Sequence, residues 1–200
     1  MNISEQVTTS IQLIGPMPLT LPLKKIVAIA VDGGANHNFE QTILTVGDGD
    51  SGPKMDIPLD PEKDFSDFSY ALQLIPSKVN SVYCAGFLGG RRDHELAIWG
   101  DALEWLDSQK ATGMNFEQEV FALSQGDWEI ITGGEFSLFS VKPNKLSLEG
   151  SKYSCQELRP WSSHGISNAG DKVHLKNSAP VLVIFPTTNG NAHRSFQAAH

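Results

Sequence analysis

Five apolar runs rich in β-branched residues recur along the first part of the chain: IQLI at 11–14, IVAIAV at 26–31, ILTV at 43–46, SVYCA at 81–85 and EVFAL at 119–123. They show little polar alternation, which suits strands buried on both faces of a parallel sheet between helices. Between them Phe65, Phe68, Leu72 and Ile75 recur at spacings of three and four, and so do Leu96, Trp99, Leu103 and Leu106. Each set predicts an amphipathic helix. After about Gln125 the pattern becomes short strands, WEIIT, EFSLFSV, KLSLE, DKVHL and PVLVIF, separated by Gly, Ser, Pro and Asn turns with no helical period. That half reads as a β-sandwich. The expectation is an α/β N-terminal domain over residues 1–125, a mainly parallel sheet flanked by helices, followed by an all-β sandwich C-terminal domain over 126–200. The tail TNGNAHRSFQAAH at 188–200 is expected to fray.

Composition narrows the partners. The 200 residues are 40% hydrophobic and 19% charged, ordinary for a globular chain. A formal net charge of -8 and a pI near 5.1 argue against nucleic acid and anionic membrane surfaces and favour a small cationic ligand. Cys84 and Cys155 form no CxxC pair, so neither a disulfide framework nor a thiolate zinc site is expected. The start, MNISEQVTTS, has no basic stretch leading into an apolar core, and the longest apolar run is too short to span a bilayer. A cytoplasmic location is the expectation.

The chemistry concentrates in glycine and aspartate turns. GDGDSG at 47–52 fits GxGxxG behind a strand, but two carboxylates stand where a dinucleotide loop offers bare N–H groups, and PKMDIPLDP follows instead of a helix. An EF-hand fails because its fifth position is Gly52 and its twelfth is Leu59; no P-loop pattern occurs. Asp48 and Asp50 suit magnesium held against a polyphosphate, provided further carboxylates lie nearby. EKDFSDF at 62–68 supplies Asp64 and Asp67, for which capping of the helix that follows is an equally good reading.

Two further strand ends carry related residues. VDGGANH at 31–37 gives backbone room at the carboxyl edge of the sheet, where open α/β sheets bind ligands. GFLGGRRDHELA at 86–97 sets Arg91, Arg92, Asp93 and His94 at the mouth of a helix. Arg91 there is a phosphate clamp or a partner for Asp93, and the clamp is favoured.

Taken together, VDGGAN, GDGDS, EKDFSDFSYAL, GFLGGRRDHELA and SHGISN at 163–168 resemble, in order and rough spacing, the motifs of the thiamine pyrophosphokinases. The resemblance runs from about Ile26 to Phe185. It implies transfer of the pyrophosphoryl group of ATP to the hydroxyl of thiamine, releasing AMP, by a homodimer with its active site between subunits. By position, Asp48, Asp50 and Asp67 resemble the catalytic carboxylates that gather Mg2+ around the triphosphate. Asp32, Gly33, Gly34, Asn36, Lys63, Asp64, Arg91, Asp93 and His94 resemble the ATP contacts. Ser167 and Asn168 resemble the thiamine-binding part, and Trp161 is placed to stack on a thiamine ring or to pack at a sheet edge. Either Asp67 or Asp50 would accept the hydroxyl proton. Two stretches, between VDGGAN and GDGDS and between GDGDS and EKDFSDF, are shorter than the family pattern, so helices beside the site are expected to be reduced. Gly49 stands where the family has an apolar residue. The alternatives are a relative acting on another acceptor alcohol and a silent thiamine or nucleotide binder; the latter has no use for clustered carboxylates that repel one another without a cation.

Overall fold

The computed structural model of the chain describes residues 3–37, 39–50, 54–186 and 193–199. It divides into two compact units, Met1–Ala102 and Leu103–His200. The first unit holds β1 (Ser10–Ile14), β2 (Ala28–Val31), β3 (Thr42–Gly47), β4 (Ile57–Pro58) and β5 (Ser81–Ala85), in the spatial order β5-β1-β2-β3-β4. Every one of these neighbouring pairs is parallel. The runs apolar on both faces behave as expected: β2 is buried throughout, and β1 is buried from Ile11 onward.

Helix is scarce around this sheet. A single turn, α1 (Ile3–Gln6), precedes β1. The two longer helices are α2 (Asp67–Gln73) and α3 (Arg92–Asp107). α2 turns Phe68, Ala71 and Leu72 inward, which bears out the predicted Phe68 and Leu72, whereas Phe65 lies before the helix and is exposed; Leu74 closes the helix ahead of Pro76. Residues 15–27, which join β1 to β2, are irregular.

The second unit is antiparallel. β6 (Gly113–Phe116), β7 (Val120–Leu123), β8 (Gly126–Phe139), β9 (Asn144–Glu149), β10 (Glu157–Leu158), β11 (Asn168–Asn177) and β12 (Val181–Ile184) follow the order β10-β9-β11-β8-β12-β7-β6. The fourteen-residue β8 alternates buried and partly exposed positions, and its inward Trp128, Ile130, Phe136 and Leu138 meet Val173 and Leu175 of β11 and Val181 and Val183 of β12 in one core.

Two expectations are corrected. The thirteen strands are mixed, parallel in the first unit and antiparallel in the second, and only two helices longer than one turn occur among the described residues, so the expected helix-flanked parallel α/β domain is not found. The connections that would carry flanking helices are too short or too rich in proline to form them. The tail is also not frayed where it is described. β13 (Ser195–Ala198) pairs with β8, and Phe196 packs edge-on against Phe121 and Trp128. Arg194, only 7% exposed, donates to the carbonyls of Gln118, Thr132 and Pro186. Residues 188–192 and 200 of that tail lie outside the described residues. No helix among the described residues is long and apolar enough to cross a membrane.

Candidate active site

Parallel register brings the acidic residues together. Val31 of β2 stands opposite Val46 of β3, so the residues that follow each leave the sheet side by side at its carboxyl edge. Asp32 leaves in the left-handed region, φ 48°, a conformation that Asp tolerates better than most residues, and opens a one-turn 3-10 segment over Asp32–Asn36. Its neighbour across the sheet has to be glycine, because a Cβ on Gly47 would stand 2.9 Å from the Asp32 Cα. Gly49, at φ 78°, then turns the chain between Asp48 and Asp50. A glycine suits that turn, because an L side chain at this φ would be strained. The Asp50 N–H donates to Asp48 Oδ1 at 3.2 Å and ties the turn. Ser51 and Gly52 of the same motif lie outside the described residues.

The third carboxylate arrives on a helix. Ser66 caps α2, its hydroxyl accepting the Ser69 N–H at 2.9 Å, and Asp67 is the first helical residue. Neither aspartate of EKDFSDF therefore serves as the cap. Asp64 is exposed, whereas the Asp67 side chain is 15% exposed and bonds Lys63 Nζ at 2.9 Å. Lys63 also reaches Asp48 Oδ2 at 3.6 Å, its own side chain 9% exposed.

Asp32, Asp48 and Asp67 each place a carboxylate oxygen within 4.8 Å of the others. The electrostatics record the crowding. Burial pushes the Asp32 carboxyl above its ordinary value, a backbone hydrogen bond from Gly33 opposes this, and the charges of Asp50, Asp67 and Asp48 push it further up. For Lys63, burial alone would lower the ammonium, but its bonds to Asp67 and Asp48 and their charges outweigh that and hold it above its ordinary value. Asp32 Oδ1 is buried and has no hydrogen-bond partner. An orphaned anionic oxygen beside two more carboxylates is the donor set of a hard divalent cation such as Mg2+, and these residues fit one.

The expected site residues thus fall into three groups. Asp32, Asp48, Asp67 and Lys63 are brought together, with Gly33 and Gly34 buried beneath and Asp50 exposed at the rim. Arg91, Asp93 and His94 form an exposed group at the start of α3, where the Arg91 guanidinium holds Asp93 through Nε at 3.2 Å and Nη2 at 2.5 Å. That pairing draws the Asp93 carboxyl down to about 2. In the second unit, Ser167 lies at φ 57° and the exposed Trp161 at φ 52°. The Asn168 side chain is buried and occupied. Its Oδ1 accepts the Tyr153 and Ala169 N–H groups at 3.0 and 2.8 Å, and its Nδ2 donates to the Tyr153 carbonyl at 2.8 Å.

Sequence reading placed Asp32 with the nucleotide contacts and missed its place in the acidic group. Two consecutive strands ending in Val-Asp and Val-Gly-Asp were the available signal, since parallel pairing in register makes those aspartates neighbours.

The acidic group stands at the carboxyl edge of a parallel sheet, the edge at which open α/β sheets bind ligands, in a chain that also carries an antiparallel unit. Among solved structures this fold is that of the thiamine pyrophosphokinases. The enzyme from Candida albicans superposes with a TM-score of 0.71 at 14% identity over 92% of this chain and 92% of that one. The one from Bacillus subtilis gives 0.64 at 17% over 96% and 99%. That from Geobacillus thermodenitrificans gives 0.65 at 18% over 96% and 98%. No family model matches the sequence, and no curated protein matches it.

Proposed function

We propose that the chain is a cytoplasmic, homodimeric thiamine pyrophosphokinase that uses ATP as donor and Mg2+ as cofactor. The observation that carries this reading is the convergence of Asp32, Asp48 and Asp67 with Lys63 at the sheet edge, in a fold shared with proteins of that name. In the reaction the thiamine hydroxyl oxygen bonds to the β-phosphorus of ATP as the bond from that phosphorus to the α-phosphate oxygen breaks, and AMP leaves. Mg2+ on the three carboxylates would neutralise charge on the triphosphate. The chain's own work is positioning: the register and the Ser66 cap fix the carboxylates before substrate arrives, so little reorganisation is needed. The hydroxyl proton passes to a carboxylate, and Asp50 is favoured over Asp67 because Asp67 is one of the three carboxylates that would hold the metal. Arg91 would exchange Asp93 for phosphate oxygens, a bidentate partner for a bidentate partner. Trp161, 60% exposed, offers an indole face to a cationic ring.

The test is direct. Purified protein with ATP, Mg2+ and thiamine should yield thiamine diphosphate and AMP by mass spectrometry, and Asp48→Asn should yield neither. One observation favours a second acceptor alcohol, namely that Asn168 spends its amide on Tyr153. Product from another alcohol but not from thiamine would establish that version.

A further inference from the structure

Lys63 is the one cation bonded inside the acidic group among the described residues. Its side chain is almost wholly buried, and its ammonium touches two of the three carboxylates that the metal would take. A lysine and a divalent cation cannot both be satisfied by the same oxygens, because the incoming double charge repels the ammonium at short range in a partly water-excluded site. Resting on the reading that these carboxylates take a divalent cation, we propose that Lys63 is the resident counter-cation of the site. It balances Asp48 and Asp67 while no metal is bound, and the arriving metal displaces it towards the polyphosphate.

The arrangement has a thermodynamic consequence. Metal alone has to evict Lys63 with no new anion to receive it, so it binds weakly. A polyphosphate supplies that anion, so metal and polyphosphate each strengthen the binding of the other, and by linkage the strengthening is reciprocal. Lys63 is a positioning residue in this scheme. It prevents the acidic group from filling with free metal and makes the loaded state depend on substrate. Its i,i+4 relation to Asp67 across the start of α2 suits this, since a flexible four-carbon stem can swing while the helix stays fixed.

The discriminating sign is unusual. Loss of a structural residue weakens metal binding, whereas loss of a competitor strengthens it. Mn2+ binding, measured by the free-ion paramagnetic resonance signal with no nucleotide present, should tighten about tenfold or more in Lys63→Met, an estimate from removing one unit charge beside a divalent ion. Lys63→Gln should behave the same way, and Lys63→Arg should keep the weak binding of the parent. Addition of inorganic triphosphate should strengthen Mn2+ binding in the parent well beyond its effect in Lys63→Met. Metal binding that is unchanged or weaker in Lys63→Met would overturn the proposal while leaving a metal site in place. Absence of Mn2+ binding in parent and variants alike would instead remove the metal reading itself, and the proposal with it. The native protein provides a second measurement that needs no variant: Mn2+ alone should raise labelling of Lys63 by an amine-reactive probe, read by peptide mass spectrometry, and a fall in labelling would contradict displacement.

Discussion

Replacing Asp32 by Asn should make the protein more stable without metal and less stable with it. The substitution keeps size and shape, and Asn accepts the left-handed backbone at φ 48° as readily as Asp, so the change isolates the charge. Two carboxylates at the 4.8 Å limit of the group repel by ~0.9 kcal/mol in a water-like dielectric and by ~3.5 kcal/mol at an effective dielectric of about 20. Lys63 cancels roughly one of the two charges facing Asp32, and the partial exposure of Asp48 and Asp67 favours the screened limit. The net relief is therefore about 1–2 kcal/mol, or a rise in Tm of ~2–8 °C for a chain of this size. The sign with pH agrees. A carboxyl held above its ordinary value costs the folded state stability as pH rises from that ordinary value through the raised one. Mg2+ reverses the order, since a ligand at a hundred times its Kd adds about 2.7 kcal/mol and the variant forfeits most of it. Thermal melts at pH 7.5 in chelator and in excess Mg2+ should therefore cross. A variant less stable than the parent in chelator, or equally stabilised by Mg2+, would refute the argument.

Other consequences are simpler to state. Asp67→Asn should abolish turnover while leaving far-UV circular dichroism unchanged, because the α2 cap is Ser66; Ser66→Ala should instead lower stability by about 1 kcal/mol. The Asp93 carboxyl should titrate near 2 by side-chain 13C NMR, and Arg91→Gln should return it towards the ordinary value; the Arg91 pairing then favours the folded state above that ordinary value and fades as pH falls through about 2. Asn168→Ala removes three hydrogen bonds to backbone and should cost about 1–3 kcal/mol in a urea melt, with local hydrogen exchange rising at Tyr153 and Ala169. Arg194→Met should release β13, seen as faster exchange of its amides and of the paired 128–131 segment of β8.

What could be read in advance divides by range along the chain. The apolar runs at 11–14 and 26–31 announce β1 and β2 because a strand buried on both faces writes its own pattern locally, and the run at 43–46 falls in β3, although only Val46 and Gly47 of that strand are buried. The three-and-four spacing from Phe65 to Ile75 announces α2 for the same reason. The scarcity of other helices was legible only in part: the short stretches on either side of GDGDS predict reduced helices beside the site, but parallel strands normally imply helical crossovers, which sustained the expectation of a helix-flanked sheet. β13 left almost no trace, since a four-residue strand is below the length at which alternation speaks, and its anchor is an arginine, a type usually found at the surface. Asn168 looked like a ligand contact because nothing in its neighbours reveals that Tyr153, fifteen residues away, takes up the amide.

The geometry of the acidic group is set by few and local determinants. Asp32 and Asp48 are placed by the pairing of β2 with β3, two interior strands of the first unit whose register is held by buried Val31 and Val46. Asp67 is placed by a capped helix whose Phe68, Ala71 and Leu72 are buried. Lys63 lies in the non-helical segment just before α2, and its long stem reaches Asp67 at 2.9 Å. None of these determinants lies in residues 15–27, and the fine adjustment, a glycine at 47 so that Asp32 can approach, lies within the sheet itself. The β2–β3 pairing and the capped α2 therefore fix the carboxylates relative to one another without help from further helices. Asp48 and Asp67 stay partly exposed, and exposure means screening, hence weaker mutual repulsion at rest and a weaker hold on any cation than a fully buried group would have.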